Sequence, residues 1–201
     1  MNRLPVATWN PLGVNYAPAS AALPTVPADG WAKAEPLSPA LPAGVTAPAE
    51  ADFGDFAASG MGAETDTWLA ENANQVNHLA VSGTADAPIV FENTLDAAHP
   101  HALTYLTIDA AEGSSLTVVQ VVRGDAENGV STSLTRIRAA ENAHVTLVQV
   151  QLLGNRARRW NAVAIEQGKS ARVEQVRIEL GGCVVACGAR TLLNHNKCER
   201  S

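Results

Sequence analysis

The sequence has few aromatic residues, which make up only 4% of its 201 positions. Hydrophobic residues account for 46%, and many of them are Ala and Val, small side chains that suit thin, closely stacked layers. No apolar run approaches the roughly 18 residues of a membrane span, and residues 1–11 lack the apolar core of a signal peptide. We therefore expect a soluble, cytoplasmic protein with no membrane partner.

Basic residues are scarce in the first half of the chain. Residues 1–100 contain two Lys or Arg against eleven Asp or Glu, whereas residues 101–201 contain twelve against nine, for a net charge of -6. No basic run is interleaved with aromatic residues in the way that a nucleic-acid surface requires. We therefore expect no nucleic-acid partner.

Cysteine is also scarce, and its odd number of three does not indicate a disulfide framework. Cys183, Cys187, His195 and Cys198 nevertheless form a C-x3-C-x7-H-x2-C array near the end of the chain. Thiolate and imidazole groups are ligands for zinc or an iron-sulfur centre, although this spacing matches no established motif. Burial of the thiols as small hydrophobic groups and a redox role are the alternatives.

Other motifs carry little chemistry. His99-Pro-His101 resembles half of a cupin metal site, but the required Glu is missing, which favours a turn that enters a strand. The basic cluster from Arg156 to Trp160 predicts a solvated turn, with a contact to an acidic partner, such as the acidic N-terminal half, as the alternative. The sequence contains no Gly-rich phosphate loop and no supported Ser, His and Asp arrangement. We identify no catalytic residue and expect that the protein is not an enzyme.

Proline is concentrated at the start of the chain, where residues 1–50 contain nine of the eleven prolines. This density predicts an extended segment, because proline blocks helices and removes backbone donors. Trp9 and Trp31 are expected to pack against the protein's own domain. A single short helix is predicted near residues 66–75, capped by Thr65 or Asp66.

The most regular feature is a repeat. Residues 108–122 align without a gap on residues 137–151, which places Gly113 on Asn142 and Gln120 on Gln149, 29 residues apart. A weaker third copy follows 26 residues later and aligns Gly168 with Asn142, Val173 with Leu147 and Gln175 with Gln149. Each copy predicts a strand, a turn at a residue that tolerates positive φ, and a second strand.

A period of this length without amphipathic helices predicts a solenoid of stacked strands. Chance similarity between hairpins of a β-sandwich is the alternative. Two earlier strands are expected near residues 78–81 and 88–93. Further strands are expected near residues 103–109, 116–123, 131–138, 145–152, 160–166, 171–180 and 183–187.

These strands resemble the core of the SufB/SufD family. The resemblance lies in the Glu112-Gly-Ser-Ser-Leu-Thr-Val-Val119 strand, its copy at residues 141–149 and the strand that ends at Gly181-Gly182, and it covers about residues 76–201. The segment from Arg190 to Lys197 also resembles an element of SufD. The resemblance implies an all-β fold, a right-handed parallel β-helix, and a role as a scaffold in iron-sulfur cluster assembly.

The resemblance also implies partners. SufD pairs with SufB, and each binds the ATPase SufC, so a SufB-like and a SufC-like subunit are expected, and a homodimer is the alternative assembly. No cofactor is assigned, although a transient iron-sulfur cluster could be held at a partner interface. Residues 1–75 are expected to form the N-terminal segment with its helix, and residues 76–201 the β-helix core domain.

Two features separate the sequence from the family pattern. Family members have further rungs and a helical C-terminal region, so we expect this chain to be a truncated or internally deleted product. Two other function classes remain as alternatives. One is a β-helix carbohydrate-active enzyme, which would need clustered acidic residues that the repeats lack; the other is a purely structural β-solenoid that binds proteins.

Overall fold

The computed structural model describes residues 22–193 apart from residues 33, 35, 36 and 54. One helix and ten strands are present in this part of the chain. In chain order the elements are β1 (Val45–Thr46), α1 (Ala63–Glu71), β2 (Gln75–Val81), β3 (Ile89–Leu95), β4 (His101–Ala110), β5 (Ser115–Gly124), β6 (Val130–Ala139), β7 (His144–Leu153), β8 (Arg158–Gln167), β9 (Arg172–Gly181) and β10 (Val184–Leu193).

The strands form a parallel β-solenoid of about four turns. Successive strands alternate between two sheets, so that β2, β4, β6, β8 and β10 lie side by side in one and β3, β5, β7 and β9 in the other. All of these neighbours are parallel. The short β1 adds one antiparallel strand beside β2. We call the two sheets the six-stranded and the four-stranded sheet. The parallel pairing confirms the solenoid and excludes the hairpins of a β-sandwich.

The register confirms the first repeat and corrects the third copy. Gln120 pairs with Gln149 in the four-stranded sheet, as the 29-residue period predicts. In the next rung Val173 pairs with Val145 rather than with Leu147, and Arg177 rather than Gln175 pairs with Gln149. The third copy is therefore displaced by two residues from its predicted alignment.

The cause lies in the turns. Gly113, Asn142 and Ser170 occupy the same position in three successive turns, with φ of 67°, 58° and 56°. The positive φ of the third turn is therefore carried by Ser170, a residue type that gives a weak signal in a sequence. Gly168 serves another purpose, because a Cβ there would lie 3.1 Å from the backbone of Ala139. The confirmed spacing of the first repeat and the misalignment of the third copy both follow from where the chain needs positive φ.

An apolar ladder fills one side of the interior between the two sheets. Leu79, Ile108, Ile137 and Ile165 pair directly with one another across four strands, and each is 4% exposed or less. Val118 and Leu147 stand side by side on the four-stranded sheet and belong to the same cluster. Burial of each such side chain contributes about 1.5 to 3 kcal/mol to folding, and each rung obtains this burial from its neighbours.

The N-terminal segment covers the outer face of the six-stranded sheet. Phe53 and Phe56 stack 5.1 Å apart, and the Arg138 guanidinium lies 4.5 Å from the centroid of the Phe53 ring. Arg136 Nη1 donates to the Phe53 carbonyl oxygen over 3.0 Å. Cation–π contacts and hydrogen bonds thus attach this segment to β6.

Trp31 attaches an earlier part of the segment, as predicted. Its ring makes edge contacts with Trp68 and with His101, and its Nε1 donates to Asn72 Oδ1 over 3.0 Å. His101 Nδ1 accepts a hydrogen bond from the Ala32 backbone, and burial lowers the pKa of this imidazole. Trp9 lies outside the described residues.

The helix begins earlier than predicted and without the predicted cap. It starts at Ala63, with Gly62 at the N-cap and no side chain bonded to the helix end. Asp66 is instead buried within the first turns, where its carboxylate accepts hydrogen bonds from the backbone and hydroxyl groups of Ser59. A tertiary contact has therefore taken the carboxylate that sequence reasoning assigned to capping. Across the described residues no helix is long and apolar enough to cross a membrane.

Candidate functional site

Rows of aliphatic side chains cover the outer face of the four-stranded sheet. Side chains alternate between the two faces of a strand, so the residues next to the inward-facing ones point outward. In the first row Val90, Val119, Val148 and Val176 pair directly across all four strands. A sheet face built from paired valines is apolar without interruption along that row.

Two further rows extend this surface towards the ends of the strands. The second row runs across the strands from Glu92 to Val121, Val150 and Ile178. The third row runs from Thr94 to Arg123, Leu152 and Leu180. The surface thus becomes more apolar towards β9. We call the following set the aliphatic face: Val90, Val119, Val121, Val148, Val150, Leu152, Val176, Ile178 and Leu180.

The described part of the chain leaves the aliphatic face accessible. Val90, Leu152, Val176 and Ile178 are 44 to 46% exposed, and Leu180 is 58% exposed. The outer face of the other sheet is different, because Trp160 there is fully buried in a cluster with Leu69 and Met61 from the N-terminal part of the chain. Contiguous exposed apolar surface of this kind makes the aliphatic face a candidate interaction site.

Polar and charged groups border the aliphatic face. Arg123 and Glu92 form an ion pair with a separation of 2.6 Å at one side. Thr117, Thr146 and Glu174 pair across the strands as a polar row on the other side. An apolar centre with a polar border is the usual anatomy of a protein–protein interface, which makes this surface the candidate functional site.

The cysteine array is only partly placed. Cys183 precedes β10 and is exposed, and its Sγ donates to the Ala157 carbonyl oxygen. Cys187 lies within β10, and its Sγ donates to Glu179 Oε1 over 2.6 Å. Burial, reinforced by this carboxylate, raises the pKa of the Cys187 thiol to about 12, which opposes the thiolate form that a metal would need.

His195 and Cys198 lie outside the described residues. Among residues 22–193, gaps excepted, no three His, Cys, Asp or Glu side chains come together as metal ligands would. The four-residue metal site therefore stays a prediction.

The other sequence motifs have structural roles. His99 lies in the turn before β4, where Asp96 Oδ1 accepts from its backbone N–H over 2.7 Å. This agrees with the interpretation of His99-Pro-His101 as a turn that enters a strand. Arg156 lies in the turn before β8 and bonds to Asp125 of the preceding rung, with Nε to Oδ2 at 3.0 Å. The predicted turn is thus present, and the acidic group that Arg156 contacts belongs to a neighbouring turn.

Sequence reasoning missed a polar layer inside the solenoid. Gln149, on β7, donates from Nε2 to Gln120 Oε1 and to Asn161 Oδ1, and its Oε1 accepts from Asn161 and Gln175. Gln149 is only 2% exposed. The sequence contained a signal for this layer, because Gln120 and Gln149 recur at equivalent, inward-facing positions of two strands. A repeated amide at such positions indicates a ladder of hydrogen bonds.

The comparisons with known proteins agree with this architecture. Residues 93–201, just over half of the chain, match the family model described as SUF system FeS cluster assembly, SufBD core domain. Neither the curated proteins nor the solved structures yielded a match. The match covers β4 to β10, which form most of the solenoid. From this match and the β-solenoid that carries it, the chain belongs to the SufBD core domain family of the SUF system for iron-sulfur cluster assembly.

Proposed function

We propose that the protein is a SufD-like assembly subunit that works by binding protein partners and not as an enzyme. Its place in the SufBD core domain family supports a role in iron-sulfur cluster assembly. The observation that carries the binding mechanism is the aliphatic face, which is exposed along four paired strands.

The partner assigned to this face is a SufB-like subunit. An apolar sheet face is complementary to another sheet face, which packs against it at about 10 Å. SufB and SufD, the family's two kinds of subunit, pair with each other, so the family resemblance supplies a partner with such a sheet. A SufC-like ATPase is the second partner in this proposal, and an iron-sulfur cluster is cargo formed in the complex, which we place in the cytoplasm.

The test is coexpression with the SufB-like and SufC-like subunits of the same host, with an affinity tag on this chain. We expect both subunits to copurify. Val150→Lys places a charge in the centre of the aliphatic face, so we expect it to reduce the recovered SufB-like subunit at least about tenfold, since desolvating an unpaired charge costs more than 1.4 kcal/mol.

The matched control is Thr146→Lys, which adds the same charge to the same face of β7 in the polar row, opposite Glu174. This control should retain the partner. Recovery of neither subunit would contradict the proposed function. Recovery that Val150→Lys leaves unchanged would preserve the function and reject the aliphatic face as the contact.

A further inference from the structure

A small cavity lies inside the solenoid, beside the polar layer. The centre of a water-sized molecule can occupy about 20 Å³ of this cavity. Its wall includes Asn77 from β2 and Asn93 from β3, which form the first rung, together with Ser131 and Ser133 from β6 and Arg159 from β8. A cavity of this size holds one or two water-sized particles, so only a small occupant fits.

Arg159 is the only charged residue in the described lining of this cavity. It points inward from β8 and is 5% exposed. Its Nη1 donates to Ser131 Oγ over 2.6 Å, whereas its Nε has no hydrogen-bond partner. Although burial lowers its pKa to about 10, the guanidinium is still charged at neutral pH.

A carboxylate does not balance this charge within the cavity. The described lining contains no Asp or Glu, and no described carboxylate lies within ion-pair distance of Arg159. Glu179 is the acidic group that interacts with it at longer range, but its Oε1 already accepts from Cys187 Sγ and lies 3.6 Å from Arg177 Nε. Buried charges in proteins are normally paired, because an isolated one is strongly destabilising.

The neutral polar groups of the cavity can also interact with an anion. The Ser133 hydroxyl is buried without a partner, so it is free to donate a hydrogen bond. Asn77 and Asn93 bring amide groups to the same wall. One cation with donors around a space of this volume matches a monatomic anion, whereas sulfate, phosphate and carboxylates need more room.

A second cavity lies beside the first. A larger cavity of about 220 Å³ lies at the first rung, and Leu37 and Asn93 line both cavities. The larger cavity is bordered by residues that include exposed His99 and Asp96.

We propose that the cavity beside Arg159 is a binding site for a monatomic anion such as chloride. The bound anion neutralises the buried guanidinium and accepts hydrogen bonds from the polar side chains around it. The site is independent of the proposed assembly function, since the cavity lies inside the solenoid and the aliphatic face lies outside it.

The first experiment measures thermal unfolding of the full chain as sodium gluconate is replaced by sodium chloride at constant ionic strength. Ligands that bind only the folded state raise its stability with the logarithm of concentration. We expect the melting temperature to rise by roughly 3 to 6 °C and then to follow this logarithmic dependence. Bromide should replace chloride in the same assay.

Arg159→Met tests the residue, because it removes the charge and keeps much of the side-chain volume. We expect this variant to lose the chloride-dependent shift while it remains folded, since an apolar replacement of a buried charge is often tolerated. The matched control is Arg158→Met, the preceding residue, whose guanidinium lies 5.8 Å from the Trp160 ring centroid on the opposite face of β8. This control should keep the full shift.

A second measurement does not depend on the variant folding. Crystals of the wild-type chain grown in bromide should show an anomalous peak in the cavity, next to Arg159 and Ser133. A wild-type melting temperature that does not respond to chloride, a shift that Arg159→Met retains in full, or a cavity that holds water and no bromide would each overturn the proposal.

Discussion

Cys183 and Cys187 differ in environment although they are four residues apart. Cys183 is exposed, whereas Cys187 is partly buried against the Glu179 carboxylate. Burial is the larger cause of the raised pKa of Cys187, and the hydrogen bond to Glu179 is the next. Since the thiolate is the reactive form of cysteine, the two thiols should react at different rates.

We expect iodoacetamide at pH 8 to modify Cys187 at least about 100-fold more slowly than Cys183, because a pKa of about 12 leaves roughly one thiol in 10⁴ ionised. Time-resolved mass spectrometry with fragmentation of the peptide measures both sites. Glu179→Gln should accelerate the reaction of Cys187, and Glu174→Gln, a change on the same strand, should not. Equal rates of modification at the two cysteines would contradict the prediction that burial and Glu179 keep the Cys187 thiol protonated.

The same shift has a consequence for stability. A thiol whose pKa is raised in the folded state contributes its full share of stability below the pKa of the unfolded thiol, near 9. As the pH rises from about 9 to about 12, the unfolded state ionises first, so stability is lost over this range. Cys187→Ala should therefore reduce the loss of stability in alkaline solution.

At the scale of the single turn, one backbone conformation recurs with three different residue types. Gly113, Asn142 and Ser170 all have positive φ, and a Cβ at Gly113 would have no atom within 4 Å. Gly113→Asn should therefore lower the free energy of unfolding by no more than about 1 kcal/mol. Gly113→Val should cost about 1 to 3 kcal/mol, because a β-branched residue is strained in this region.

Urea denaturation of the two variants measures these differences. The comparison isolates the backbone, since Asn and Val are inserted into the same open space. A loss for Gly113→Val as small as that expected for Gly113→Asn would show that the turn does not require positive φ. A loss for Gly113→Asn as large as that expected for Val would show that the Asn142 turn is not equivalent.

The strands were predictable because each rung repeats the same inward pattern. Ile108 and Ile137 occupy equivalent positions and pair directly, so the period alone indicated stacking. The placement of the N-terminal segment was less predictable, because its attachment depends on Phe53 meeting Arg138, 85 positions later in the chain. No local pattern in the sequence encodes a contact at that separation.

The candidate surface was predictable only in part. The outward residues of β7 include Val148 and Val150, so the alternation of apolar and polar residues along this strand is imperfect. The pattern could not distinguish a face covered by the chain from a face left accessible, because both require apolar residues outward. The coverage of Trp160 by Leu69 on the six-stranded sheet and the exposure of Val176 on the four-stranded sheet therefore emerge only in three dimensions.

At the scale of the whole molecule, the aliphatic face sets the expected association behaviour. Four strands about 4.8 Å apart, with side chains in three rows, give a footprint of about 300 Å², well below the roughly 800 Å² per partner of a standard stable interface. The isolated chain should therefore associate weakly and reversibly with a second copy, sheet face against sheet face.

Sedimentation velocity over a roughly hundredfold concentration range tests this expectation. We expect the wild-type average mass to rise from that of a monomer towards that of a dimer as the concentration increases. Val150→Lys should hold the chain as a monomer throughout, because two facing copies would bring buried lysines together, whereas Thr146→Lys should behave as the wild type does. Dimers that persist in Val150→Lys would place self-association elsewhere, at β9 and β10, whose outer edges pair with no other strand in the described part of the chain and can add a further strand.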